Sequence, residues 1–215
     1  MDIQKPSIRY VCGTGGDYSI EEAARTCYKS EDEMTTNSDK QMVRKLIKSE
    51  HHAMLEFGWM FYKVICDRGV THEIVRHRMF SYAQESTRYC NYSGGVTFVM
   101  PCWMYNECSD GEYLLTDEFE SNLDKPSHIW HMQMLRAEGA YLKLTKQGWL
   151  PQQARSVLPN SLKTEICIAG NFREWRHFFE LRTAKSAHPQ MIEVANMILE
   201  DAVKRHSELF KEYLK

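Results

Sequence analysis

Apolar positions recur along this chain with two periods. Behind Pro189, the residues Met191, Val194, Ala195, Ile198, Leu199 and Ala202 fall three or four apart, which is one buried stripe of an α-helix opened by proline. Pro126 opens a longer helical run through Leu135 and Leu142 to about Lys146, with Gly148 as its stop. Leu162, Thr164, Ile166 and Ile168 alternate instead, so residues 162–169 are expected as a strand with those four on one face. Phe57 to Cys66 is rich in aromatic and β-branched residues and reads as a strand ended by Asp67-Arg68-Gly69. Val96 to Met100 is a shorter strand closed by Pro101.

Capping chemistry places the helix starts. Ser19-Ile20-Glu21-Glu22 fits a capping box ahead of Ala23, Ala24 and Cys27, and Ser38-Asp39-Lys40-Gln41 fits another ahead of Met42, Val43, Leu46 and Ile47. Asn171 with Glu174 three residues on starts a helix through Leu181, and Val70 to Arg78 reads as helical. Residues 101–125 show no period and read as a surface excursion. Helices and strands mix without a βαβ rhythm. The expected fold is α+β, a single domain over residues 1–215 with a mixed or antiparallel sheet packed by long helices.

Charge narrows the partners. The 27 Lys+Arg stand against 29 Asp+Glu, a net charge of −2, which gives no global basic field for nucleic acid. Trp59 to Tyr62 and Val64 to Cys66 are the best apolar run, broken by Lys63, far below the ~20 residues that span a bilayer. Met1 to Pro6 carries no apolar signal core. A cytoplasmic location (host cytoplasm for a viral chain) with no membrane partner is expected. The seven Cys are scattered and form no CxxC, which fits reduced thiols rather than a zinc or redox motif. His51-His52 lacks the spacing of helical metal ligands, and Gly13-Thr14-Gly15-Gly16 lacks the dinucleotide fingerprint, so neither a metal nor Rossmann-type flavin binding is expected. Trp59, Trp149 and Trp175 read as core or interface residues, and Lys204, Arg205 and Lys211 as a solvated face.

The chemistry-bearing segment is Arg76-His77-Arg78-Met79-Phe80-Ser81-Tyr82-Ala83-Gln84-Glu85-Ser86-Thr87-Arg88-Tyr89. Guanidinium forks match phosphate and carboxylate oxygens. Three forks so close repel one another, and anions between them relieve that repulsion. The alternative is a solvated basic face paired with Glu73 and Glu85.

The order of residues in this segment resembles the signature of the flavin-dependent thymidylate synthases: Arg-His-Arg, seven residues, then Ser86, with Ser81, Gln84, Arg88 and Tyr89 also matching. His51 and Glu56 upstream, Arg155-Ser156-Val157-Leu158-Pro159, and then Asn171-Phe172-Arg173, His177, Leu181-Arg182 and His188 are similar to that family's other blocks. The resemblance runs from about residue 15 to 205. Two positions depart from the pattern: Glu73 stands where Gln is common, and Glu85 where an apolar residue is common.

The resemblance implies conversion of dUMP to dTMP, with methylenetetrahydrofolate giving the carbon and reduced FAD, regenerated by NADPH, giving the hydride. It implies a homotetramer whose sites draw on several chains. It makes Arg182 the catalytic residue. It assigns dUMP to Glu73, Arg76, Gln84, Glu85, Ser86, Thr87, Arg88, Arg155 and Arg182, and FAD to His51, Ala53, Glu56, Arg76, His77, Arg78, Gln84, Asn171, Arg173 and His177. Ser86 reads as an orienting donor, because a serine nucleophile needs a base and His77 suits flavin contact better. Cys90 reads as a buried thiol. Arg176 reads as an ion-pair partner of Glu180 at i, i+4. Two rivals stand beside this reading: a nucleotide- or RNA-binding module that stacks bases on Tyr82, Tyr89 and Tyr92, and a thiol-dependent methylase using Cys90.

Overall fold

The computed structural model describes residues 1–108, 110–112 and 125–214. In chain order its elements are β1 (Asp2–Gln4), β2 (Ser7–Thr14), α1 (Asp17–Thr26), α2 (Ser38–Lys48), β3 (Trp59–Asp67), α3 (Arg68–Ile74), β4 (Ser81–Gln84), β5 (Thr97–Val99), β6 (Gly111–Glu112), α4 (Pro126–Lys146), α5 (Pro151–Ala154), β7 (Lys163–Asn171), α6 (Phe172–Arg182), α7 (Pro189–Arg205) and α8 (Ser207–Phe210). The fold is α+β, as the mixed patterning requires. One sheet has the order β5-β1-β6 and the other β2-β3-β7-β4. In the first, β1 runs parallel to β5 and antiparallel to β6. No described helix is long and apolar enough to cross a membrane.

The chain forms two compact units, and each has its own core. The first comprises Met1–Ser7, Ile65–His72 and Gln84–Ile166. Its core gathers Ile3, Phe98, Met100, Met134, Tyr141 and Leu162. Helix α4 spans Pro126–Lys146, and Gly148 takes φ +94 just beyond it, the left-handed stop that glycine allows. The Met1 amino group lies 3.1 Å from the Glu138 carboxylate, whose other oxygen accepts from the Val96 amide at 2.9 Å. A buried carboxylate is tolerated there because both its oxygens are satisfied.

The second unit comprises Ile8–Val64, Glu73–Ala83 and Cys167–Lys215. Its core is aromatic: Tyr62, Phe172, Trp175, Phe178, Phe179 and Phe210 are all fully buried, each worth roughly 1.5–3 kcal/mol or more in area alone. The Trp175 indole N–H donates to the Met60 carbonyl at 3.2 Å, so its polar atom is not stranded. Two glycines let rings pack on the strands. A Cβ at Gly58 would fall 2.0 Å from a Phe172 ring carbon, and one at Gly170 would fall 2.1 Å from a Phe80 ring carbon. Helix α7 buries the stripe Met191, Val194, Ala195, Ile198, Leu199 and Ala202.

Several expectations are corrected. Helix α1 begins at Asp17, two residues before the Ser19 box, with no side-chain cap, and Cys27 is exposed. Ser38 is the first residue of α2 and does not cap it. Asn37, at φ 67, precedes it, and the Ser38 hydroxyl donates to Glu21 at 2.8 Å while also accepting the Thr35 amide. Helix α3 ends at Ile74, four residues short of Arg78, where single turns replace it. Trp175 is core, whereas Trp59 and Trp149 are exposed, which removes them from the core and not from an interface. Arg205 is paired with Asp201 at 2.7 Å and lies 3.5 Å from the Tyr10 ring centroid, so it is not a simply solvated charge. Of the expected excursion 101–125, Cys102–Met104 forms a 3-10 turn and Gly111–Glu112 pairs with β1. Residues 109 and 113–124 lie outside the described residues.

Candidate active site

In the second unit, the site grows from the junction of β7 and α6. Asn171 ends the strand in extended backbone, and its side-chain oxygen accepts the Glu174 amide at 2.9 Å. That cap satisfies one of the unpaired N–H groups at the helix start. The eleven-residue helix that follows carries Arg173, Glu174, Arg176, His177 and Arg182. A cavity of 520 Å³ opens beside its first turns, lined by Asn171, Arg173, His177, Glu56, His52 and Met79 among others. Arg173 is 2.7 Å from the Glu56 carboxylate, which joins two of the residues assigned to FAD. His52, rather than His51, lines the cavity; His51 and Ala53 are exposed on the turn beside it.

At the far end of the helix, Arg182 is held by three contacts. Its Nε donates to His77 Nε2 at 2.9 Å, Nη1 to the Glu73 carboxylate at 2.8 Å, and Nη2 to the Glu73 carbonyl at 3.2 Å. Among the described residues, three of its roughly five N–H donors are committed, and two are left for an incoming carbonyl or anion. Glu73 thereby answers for its departure from the family pattern: it is the counter-ion of Arg182. His77 is buried, 4% exposed, and ringed by Phe80, His177 and Phe178. Burial first, then Arg182, lowers its pKa to about 4. Accepting from Arg182 at Nε2 puts the proton on Nδ1, which lies 3.7 Å from Glu174. The ring is neutral, so that approach is not an ion pair. Burial raises the pKa of Glu174. Arg76 and Arg78 flank His77 and are both exposed. The Tyr82 hydroxyl lies 2.6 and 2.7 Å from the carbonyls of Ile74 and His77, which fixes the Arg-His-Arg turn.

In the first unit, residues 84–88 form a second group. The Gln84 amide donates to Thr71 at 3.1 Å and to Thr164 at 3.3 Å. Glu85 accepts from the Tyr92 hydroxyl at 2.6 Å and lies 3.2 Å from Lys163, so its charge is matched. The Ser86 hydroxyl oxygen accepts the Arg88 amide at 3.3 Å, and Thr87 accepts from Arg155 at 2.9 Å. Arg88 is exposed. Thr87 and Arg155 line a 440 Å³ cavity with Arg68, Ser156 and Asn160.

Sequence reasoning missed Arg68. Its Nη1 is buried and has no hydrogen-bond partner among the described residues, and an unpartnered buried guanidinium nitrogen is costly. It lies eight residues before Arg76, outside the quoted motif. Arg176 is corrected too: it is 7% exposed and donates to Glu212 and to the Leu209 carbonyl, not to Glu180. Those partners lie more than thirty residues away in sequence, so i, i+4 spacing could not have found them.

Known proteins bear on this geometry. Residues 9–206 match the family described as thymidylate synthase complementing protein. A flavin-dependent thymidylate synthase of Mycobacterium marinum is 30% identical over 202 residues, 93% of this chain and 80% of that one. One of Corynebacterium glutamicum is 33% identical over 190 residues, 84% of this chain and 73% of that one. The crystal structure of a UMP/dUMP methylase of Streptomyces cacaoi, bound with 5-Br dUMP, has a TM-score of 0.80 at 24% identity and covers 98% of this chain and 96% of its own, a likeness of fold. With the match spanning both units, the chain belongs to the thymidylate synthase complementing protein family, the flavin-dependent thymidylate synthases.

Proposed function

We propose that this chain methylates dUMP to dTMP with methylenetetrahydrofolate as carbon donor, FAD as flavin and NADPH as reductant, and that it works as a homotetramer in the cytoplasm. The observation that carries the reading is Arg182, a guanidinium tied on one side by Glu73 and His77 with two N–H groups still to give. Those donors suit the uracil edge, where negative charge gathers at N3 and O2 as the ring is attacked. In a tetramer whose sites draw on several chains, the resemblance assigns the monophosphate to Ser86, Thr87, Arg88 and Arg155, and Arg68, which lines the cavity of Thr87 and Arg155, joins them.

FAD is assigned to the 520 Å³ cavity. The donor set fits it: the Asn171 side-chain amide, Arg173 and His177 line the cavity and suit a pyrophosphate, and Glu56 offers an acceptor for hydroxyl groups. Bound FAD supplies the hydride. Ser86 orients rather than attacks: its oxygen accepts the Arg88 amide, and among the described residues no base is hydrogen-bonded to its hydroxyl. No thiolate is assigned, because the hydride does the work a thiol adduct does elsewhere.

The stacking rival loses two of its three surfaces. Tyr82 and Tyr92 are half-buried with their rings packed on Phe80 and Tyr141, and Tyr89 is left exposed at 78%. The deciding experiment is anaerobic release of tritium from C5-labelled dUMP. Release is expected only with added FAD and its reductant; release that ignores FAD overturns the reading.

A further inference from the structure

The flavin cavity has a wall that the family match does not reach. The match stops at residue 206, whereas Tyr213 lines the cavity with Asn171, Arg173 and His177. Leu209 and Phe210 are fully buried and root the segment in the core of its unit. From there the chain turns through Lys211–Tyr213. Arg176, on the helix that carries the cavity's other residues, donates to the Leu209 carbonyl and to the Glu212 carboxylate. Its guanidinium lies 5.2 Å from the Tyr213 ring centroid, and the Phe179 ring lies 6.3 Å from the same ring. A buried guanidinium needs partners, and this segment supplies all of those seen here: a carbonyl, a carboxylate and an aromatic face.

We propose that Ser207–Leu214 is a built wall of the flavin pocket, with Arg176 as the pin that sets the Tyr213 ring against the ligand. The proposal rests on the flavin reading above and adds a binding element from beyond the family's matched segment. A ring backed by Phe179 and Arg176 is held at little further cost in side-chain entropy. Such a rigid, amphipathic surface suits a flat conjugated group.

FAD binding by the chain, read from quenching of flavin fluorescence, tests it. Tyr213→Ala should weaken FAD about tenfold, while Tyr213→Phe should stay within about twofold of the unaltered chain. Unaltered affinity in Tyr213→Ala overturns the wall and leaves the flavin reading standing. Failure of the unaltered chain to bind FAD overturns the flavin reading itself. Hydrogen exchange on the unaltered chain decides the matter even where Tyr213→Ala does not fold. FAD should slow exchange across Leu209–Leu214, and slowing at Asn171–Arg173 without any there overturns the proposal.

Discussion

Arg182 carries a fixed charge, so what varies around it is the charge of its neighbours. His77 accepts from its Nε at 2.9 Å and must be neutral to do so. A protonated ring would set two donors face to face inside a low-dielectric pocket. The folded ring takes its proton only near about 4, against 6.5 for an ordinary histidine. Between those values the unfolded chain binds more protons than the folded one, so stability rises with pH. The contribution is complete above 6.5 and is lost as pH falls toward 4, at about 1.4 kcal/mol per pH unit for one proton. Urea denaturation of the unaltered chain and of His77→Gln at several pH values between 4 and 7 should show a shallower slope in the variant. Glutamine keeps an acceptor for Arg182 and cannot titrate. Equal slopes would mean that His77 does not carry this dependence.

At the scale of elements, the junction of β7 and α6 sets the direction of every helix-borne group in the cavity. Asn171→Ala removes the cap on the Glu174 amide and should lower stability by about 1 kcal/mol, within the usual range for such caps. Gly170→Ala should cost more, because its Cβ would fall 2.1 Å from a Phe80 ring carbon and the packed ring must move. Thermal unfolding of both variants checks the order; a Gly170→Ala chain as stable as Asn171→Ala would show that Phe80 yields freely. This junction was legible in the sequence because its signals are local: alternation up to Ile168, a capping residue, and glutamate three positions on. The Ser38 box looked the same and failed. Its hydroxyl is drawn to Glu21, seventeen residues back, where Arg25 also pairs at 2.7 Å. A buried carboxylate recruiting donors outweighed a local cap.

Across the whole molecule, the sequence reading grouped its functional residues by motif and not by unit. Residues 73–88 look continuous, yet Glu73, His77 and Arg182 belong to one compact unit and Ser86, Thr87 and Arg155 to the other. What stayed illegible is the partner of each charge. Glu85 meets Lys163 and Tyr92, and Arg176 meets Glu212. Such pairs are fixed by folding and leave no periodic trace. The two cavities are lined by different residues and predict separate binding losses. Arg155→Ala removes a guanidinium from the first unit's cavity and should weaken dUMP at least about tenfold, near 1.4 kcal/mol, with FAD affinity unchanged. Arg173→Ala, in the second unit, should weaken FAD and leave dUMP bound as before. Equilibrium dialysis with each ligand alone reads both. Parallel losses in either variant would mean that the phosphate group and the flavin group are not independent, and the assignment of the two cavities would have to be redrawn.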